Sequence, residues 1–434
     1  MKNNKILALA VIVVIVVAAV CVVIVVNNKD SGNYRSTNTD GRLAVLGNAN
    51  EDDYLDSEDV SKLNSMIANS EYSLLADANN DGVVDQKDVD MVNKIIDLQN
   101  YNKGKADANK KTMGINYITA DGNVQSATIP VFKMIIVNTQ RSLSLAIAIG
   151  VGDRVVGLTD YIKQYWDNNL FKNYAGLPSV GARDTPNVEA IATIKAADTV
   201  YTGSSSKYCT NITGTTVSDK QVIRLITWED GRLAQGALML GFFTGNNAEA
   251  QKYVKWMDDL NNEINGRLNK ITDKSDTRFY IGTSTYMYAQ SDGVSSALSL
   301  TGATNVGNLI ITSPTAAGGS VPTYLESILT ENPQYIVGGK YIYTQQSKSD
   351  IKKTYDELNF SSFKTTDGYK NNQIYMVNYD MPFCIQTLFG SAIFFQAFTW
   401  GEVSNILQDY LNNFCETNGY QFQLYNFVYL PTDG

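Results

Sequence analysis

Apolar residues return at steps of three and four through residues 247–271. Ala250, Val254, Met257, Leu260, Ile264, Leu268 and Ile271 form a stripe, while Lys252, Lys255, Asp258, Asp259, Glu263 and Lys270 fall largely elsewhere. One apolar face and one wet face predict a single helix about 37 Å long, enough to join two lobes of a larger body. Asn247, behind Gly245, is placed to cap it, and Glu249 suits its positive end. An ordinary surface helix fits the same periodicity, and it is the flanking pattern that argues for a strut. Ahead of it, residues 117–129 alternate around Asp121 and Gly122 as a hairpin, and residues 132–137 read as a strand. Helix 142–149, strand 155–158, helix 187–195 and strand 199–201 then alternate. Behind it come strand 279–282, helices 294–301 and 324–330, and strands 335–337 and 374–377. This is the order of two βα lobes, each around a parallel sheet. Val188, Glu189 and Ile191 are echoed by Leu325, Glu326 and Ile328, and in each half a valine, Val200 or Val337, follows eleven residues after the glutamate. The two halves are alike.

At the start of the chain, residues 6–26 are uncharged and strongly apolar, and Lys2 and Lys5 precede them. At helical rise the run spans about 30 Å, the thickness of a bilayer core, and it is too long for a signal-peptide core. It reads as an uncleaved anchor with the N-terminus in the cytoplasm and the rest of the chain outside. Cys21 does not make a lipidation site, because Val20 stands where a small residue is required. Residues 27–40 are polar and predict a linker.

Residues 41–100 carry a repeat. In the second copy Asp77, Asn79, Asp81, Asp85 and Asp88 stand at loop positions 1, 3, 5, 9 and 12, with Gly82 at position 6 and Val83 offering a backbone carbonyl at position 7. Hard oxygen donors at this spacing are what calcium takes. The first copy keeps the register with Asn48, Asn50, Asp52, Tyr54, Asp56 and Asp59, but Asn48 opens it and Asp53 replaces the glycine. Each loop runs into one helical pattern. Twin loops of this kind, each followed by a single helix, resemble a dockerin, which implies calcium as cofactor and a cohesin domain as partner. In that family loop positions 10 and 11 lean toward partner choice, and here the pairs Ser57 and Glu58, then Gln86 and Lys87, differ. Loops that only staple a small fold are the plainer alternative. Residues 101–112 predict a second linker.

Composition narrows the chemistry. A formal charge of −9 over 434 residues offers nothing to replace counterions on a phosphate backbone, so no nucleic-acid partner is expected. The chain has no histidine, which removes His-dependent triads and His-ligated zinc or haem. Cys21, Cys209, Cys384 and Cys415 show no metal-ligand spacing, although a bridge between two of the last three stays open.

Strand 132–137, then Ser144, Gly150, Gly152, Asp153, Gly157 and Asp160, then Asn187 and Glu189, the long helix, and Tyr324 and Glu326 together resemble the iron-siderophore and cobalamin class of ABC-transporter substrate-binding proteins. The resemblance implies an α/β fold of two βα sandwich lobes, residues 113–246 and 273–434, joined by one helix, residues 247–272. It also implies a cargo held between the lobes, limited hinge motion and no enzymatic activity. Glu189 and Glu326 match the two lobe glutamates that meet arginines of an ABC permease. The chain departs from the family pattern at Arg141, at the exit of the first strand, and at Ala197, where a proline is usual.

In α/β lobes the ligand meets loops at the carboxyl ends of strands. Those loops here carry Tyr161, Tyr165, Trp166, Tyr208, Trp228, Tyr286, Tyr288, Tyr341 and Tyr343. Each ring alone is explained by packing; their recurrence suits a large, partly apolar ligand such as a corrin, haem or catecholate chelate. Arg141 and Arg183 are placed to pair with ligand carboxylates or phosphate. The expectation is a single-pass, membrane-anchored, extracellular protein that captures a metal chelate for an ABC importer. A scaffold-borne glycoside hydrolase with Glu189 and Glu326 flanking the scissile bond, or a surface-display protein, are the alternatives.

Overall fold

The lobes are built around two separate sheets. The computed structural model describes residues 42–433 apart from 165–168, 204–208, 215, 218, 226, 228–231, 290–291, 312–319, 323 and 343. The expected anchor, residues 6–26, and the first linker lie outside the described residues. Among the described residues no helix is long and apolar enough to cross a membrane.

The N-terminal lobe holds β3 (Met134–Ile136), β4 (Val155–Leu158), β5 (Thr199–Thr202) and β6 (Gln221–Arg224), all parallel, in the order β4-β3-β5-β6. Ile135, Ile136, Val200 and Ile223 have no exposed surface, as expected of strands covered on both faces. Ahead of that sheet stands the antiparallel hairpin β1 (Met113–Ile118) and β2 (Val124–Ile129), turning at Asp121 and Gly122 as the alternation predicted. Among the described residues the C-terminal lobe has seven strands. β7 (Arg278–Gly282), β11 (Tyr335–Lys340) and β12 (Ile374–Asn378) form its parallel centre. β8 (Tyr286–Tyr288) and then β10 (Ser320–Pro322) extend it on one side and β13 (Val428–Tyr429) on the other, while β9 (Thr304–Asn305) pairs with β7.

The interlobe helix runs Asn247–Leu268 and buries Ala250, Val254, Met257, Leu260, Ile264 and Leu268, the predicted stripe. Its cap differs from the expectation. Asn246, not Asn247, holds the N-cap position; it makes no side-chain cap bond, and its amide nitrogen donates to the carbonyl of Ile149 in the N-terminal lobe. Asp258 also departs from its assignment to the wet face. Its carboxylate is only 14% exposed and accepts two bonds from the Arg42 guanidinium, at 2.9 and 3.0 Å.

That contact belongs to a wider difference. The repeat of residues 42–102 is joined to the lobes rather than tethered to them. Val45 bridges Tyr117 antiparallel, Leu46 N donates to Asn116 O, Ile118 N donates to Ala44 O, and the Asn116 amide donates to Ala78 O. Residues 44–46 thus serve as a further strand beside β1. The expected linker at 101–112 is built in as well. The second repeat helix continues through Asn102, a 3-10 turn follows at Asp107–Asn109, and Asn102 exchanges side-chain bonds with the backbone of Lys111. One contiguous apolar cluster runs from Leu63 and Ile95 through Tyr117 and Ile136 to Met257 and on to Phe389 and Leu407.

Candidate functional site

The strand ends that face across the lobes carry unlike chemistry. From the N-terminal lobe come Gln140 and Arg141, which open the helix Gln140–Ala148 after β3, Tyr161 after β4, and Arg183 in the loop that follows. The Arg183 guanidinium lies 4.7 Å from the centre of the Tyr161 ring and pairs with Asp184 at 2.7 Å. From the C-terminal lobe come Tyr341 after β11 and Tyr379 and Asp380 after β12, together with Tyr288 and Asp292. Tyr379 is fully enclosed and takes edge-on contacts from Tyr288 at 5.4 Å and Tyr341 at 5.5 Å, so the three phenols make one cluster. Gly339 makes the room: a Cβ there would lie 1.9 Å from the Tyr379 ring.

The walls meet at a polar bridge. Arg141 donates to Tyr379 O at 2.7 Å and stands 3.8 Å from the Asp380 carboxylate, and Gln140 donates to that carboxylate at 3.0 Å. Burial pushes the Asp380 carboxyl above its usual range, while Arg141 and Gln140 pull it back. Asp292 caps the helix Gly293–Ser299 by accepting from Ser295 N, and burial raises its carboxyl to about 6 against the pull of Arg141. Burial also raises the phenols of Tyr288 and Tyr379, so at neutral pH both are hydroxyl donors rather than phenolates. Arg141, Tyr161, Asp292 and Asp380 all act electrostatically on Tyr341, whose ring is half exposed. The side chain of Asn138, two residues beyond β3, is fully buried, and neither its amide nitrogen nor its oxygen has a hydrogen-bond partner among the described residues.

Beside the bridge the lobes close on a cavity of about 30 Å³, lined by Ser144, Ile147 and Leu170 on one side and Tyr410, Phe414 and Cys415 on the other. At its rim Glu416 accepts from Asn173 at 2.6 Å and from the Tyr174 hydroxyl at 2.9 Å, and Asn418 donates to Asn169 O.

The structure therefore brings Arg141, Tyr161, Arg183, Tyr288 and Tyr341 into one region. Tyr286 stands apart on β8, 51% exposed and opposite Pro322 of β10. Tyr165, Trp166, Tyr208, Trp228 and Tyr343 lie outside the described residues. Sequence reasoning missed Gln140, Tyr379, Asp380 and Asp292. Tyr379 and Asp380 follow the 374–377 strand directly, so the strand-end rule already pointed to them. Glu189 and Glu326 are exposed on the first turns of the helices Val188–Thr193 and Leu325–Glu331, away from this bridge. Cys209, Cys384 and Cys415 are free thiols.

The repeat loops are a second grouping. Asp56 and Asp85 cap the helices Ser57–Asn69 and Gln86–Asn102, and Asp59 and Asp88 complete capping boxes. Asp88 accepts from Asn79 N and Asp85 N, and Asp59 accepts from Asn50 N and Asp56 N in the same way. Asp77 accepts from the amides of Asp81 and Gly82, Asn79 from that of Asp81, and Asp81 from that of Val83. Asn80 and Glu51, both at position 4, share a left-handed backbone. Among the described residues no three His, Cys, Asp or Glu side chains converge on one point. The loop carboxylates accept from their own amides, and Asp81 and Asp85 also pair with the Lys87 ammonium at 3.1 and 3.4 Å. The donor set nevertheless fits a hard cation, since Asp59, Asp77 and Asp88 are buried oxygen donors and Asn48 Oδ1 is buried with no hydrogen-bond partner.

The family profile described as "Periplasmic binding protein" matches residues 135–379, more than half of the chain. No curated protein matches the sequence. Among solved structures, the TroA-like periplasmic binding protein FepB of Veillonella parvula is 13% identical, covers 73% of this chain and 99% of its own, and gives a TM-score of 0.58. The molybdate-binding MolA of Haemophilus influenzae gives 16%, 70%, 99% and 0.55 in the same order. CeuE of Helicobacter pylori, as a nickel and histidine complex, gives 18%, 72%, 100% and 0.53. At these identities the likeness speaks for the fold, and it agrees with two lobes that meet at their strand ends around a helical strut. The chain belongs to the periplasmic binding protein family.

Proposed function

We propose that the protein is a membrane-anchored, extracellular substrate-binding protein that captures a metal chelate of the siderophore, haem or corrinoid type and hands it to an ABC importer. The observation that carries this is the pairing of walls in the cleft, arginines stacked and bridged on one side against a cluster of protonated phenols on the other. Guanidinium groups suit carboxylate or catecholate oxygens, and neutral phenols donate to acceptors on a large flat ligand. Phenols held protonated are poor ligands for a bare metal ion, so the arrangement favours cargo that arrives already coordinated. MolA, bound to molybdate, and CeuE, in complex with nickel and histidine, are in keeping with metal-related cargo. The exposure of Glu189 and Glu326 at the starts of their helices supports a role in meeting permease arginines over one in flanking a scissile bond. The glycosidase alternative loses its carboxylate pair.

In this reading Asn48, Asn50, Asp52, Asp56 and Asp59, with the Tyr54 carbonyl, and Asp77, Asn79, Asp81, Asp85 and Asp88, with the Val83 carbonyl, hold calcium, and the dockerin-like repeat meets a cohesin domain. Tryptophan fluorescence of the full chain titrated with cobalamin, haem, ferric siderophores and maltose tests the cargo. Saturable one-to-one quenching by one of the chelates is expected; response to maltose alone, or to none of the four, rejects the reading.

A further inference from the structure

Position 6 of a calcium loop turns sharply and favours glycine, and Gly82 takes a φ of +90° there in the second loop. The first loop has Asp53 instead. Asp53 is buried, and both of its carboxylate oxygens accept from Arg42, one of them from Nε at 2.9 Å. The same guanidinium reaches across to both carboxylate oxygens of Asp258 on the interlobe helix, 216 residues away. Arg42, Asp53 and Asp258 are each largely shielded, with side chains 9, 8 and 14% exposed. A guanidinium forked between two carboxylates in such surroundings fixes both groups in direction as well as distance. Around it the turn of the first loop seats on the helices Arg232–Thr244 and Asn247–Leu268, where Leu43, Asp53 and Leu55 face Leu238, Phe242 and Gln251 across a small cleft. The corresponding turn of the second loop does the opposite, and Val83 is 55% exposed.

From this we infer that the repeat is a cation-set prop of the interlobe helix. The first loop departs from the glycine rule because its sixth residue is the bolt, and filling the loops with calcium stabilises the two lobes through Asp53, Arg42 and Asp258. The inference rests on the calcium reading above. A ligand that binds only the folded loops stabilises whatever unfolds with them, and a contiguous core with a shielded ionic bolt makes that unit the whole described body.

The sequence supplies the probe. All four tryptophans, Trp166, Trp228, Trp256 and Trp400, lie outside residues 42–111, and Trp256 sits two residues from Asp258. Thermal melts of the full chain followed by tryptophan emission therefore report the lobes alone. Calorimetric titration on the same samples counts bound calcium. In the wild type, millimolar calcium against chelator is expected to raise the tryptophan midpoint by several degrees. In Asp258→Asn, which keeps the shape of the side chain, the calcium stoichiometry is expected to stay and the shift to fall by half or more. Arg42→Met provides a second break of the same bolt. Calcium uptake with no movement of the wild-type tryptophan midpoint overturns the prop while leaving the calcium reading intact. An undiminished shift in both variants overturns the route through Arg42. No calcium uptake overturns the calcium reading, and the prop with it.

Discussion

The two lobes share a rhythm and differ in their walls. In both, a short helix beginning with an exposed glutamate feeds a buried strand, and the echo that aligns Val200 with Val337 also aligns Thr202 with Gly339. In the N-terminal lobe Thr202 fills that place with a buried hydroxyl. In the C-terminal lobe a glycine leaves it vacant, and the Tyr379 ring lies on the bare backbone. A threonine side chain present at one of two equivalent points and absent at the other thus separates a wall of arginines over small polar groups from a wall of clustered phenols. Duplicate architecture does not require duplicate chemistry.

The sharpest way to break this contrast is Gly339→Ala. The added carbon must displace Tyr379, an enclosed ring, so a loss of about 3 kcal/mol is expected from overpacking, together with loss of chelate binding. Chemical denaturation and the fluorescence titration measure the two effects. A variant within 0.5 kcal/mol of wild type rejects the tight seat. Next comes Arg141→Ala, which leaves the Asp380 carboxylate shielded and without its cation. Because Arg141 is partly exposed, roughly 2 kcal/mol is expected rather than the full cost of a buried charge. Arg141→Lys is expected to recover only part of it, since an ammonium cannot reproduce the fork.

The third is a pH effect on the phenolic wall. Asp292 titrates near 6 in the folded chain against an ordinary value of 3.8, so the folded state holds the proton more tightly than the unfolded state does. Its contribution to stability is fully present below about pH 4 and is lost as pH rises toward 6. Asp292→Asn is therefore expected to gain on wild type by about 1–2 kcal/mol between pH 4 and pH 7 in denaturation midpoints. A constant difference across that range contradicts the assignment. The smallest effect on cargo is expected from Glu189→Gln combined with Glu326→Gln, at under about 0.5 kcal/mol in chelate affinity, with transport in reconstituted vesicles clearly reduced. Equal loss in both assays places these carboxylates in the cleft.

The central strands were legible because their covered faces leave continuous apolar runs, and the interlobe helix because its stripe is long. The helix Phe383–Phe395 was not. It is buried all round, with Phe383, Ile385, Leu388, Phe389 and Phe394 on every side, so it lacks the polar face that marks a helix. The outlying strands β8 and β10 are three residues each, too short for alternation to register. Periodicity assigns a charge to solvent when its own helix gives it no neighbour, and the partner of Asp258 comes from 216 positions earlier. The same blindness turned residues 101–112 into a tether. The cleft residues were half legible: strand ends identify positions, but only the folded chain shows that Gln140 and Arg141 reach Asp380.

The clasp at Glu416 bears on how long cargo stays. Whatever swings the lobes apart must pull Glu416 from Asn173 and Tyr174 at the rim as well as Arg141 from Tyr379 and Asp380 at the centre. Because both latches must open in one motion, the barrier falls on release as heavily as on capture, and residence time becomes a property of the latches more than of the cargo's own contacts. If the chain carries cargo as proposed, cargo that binds weakly is then held for longer than its affinity alone allows.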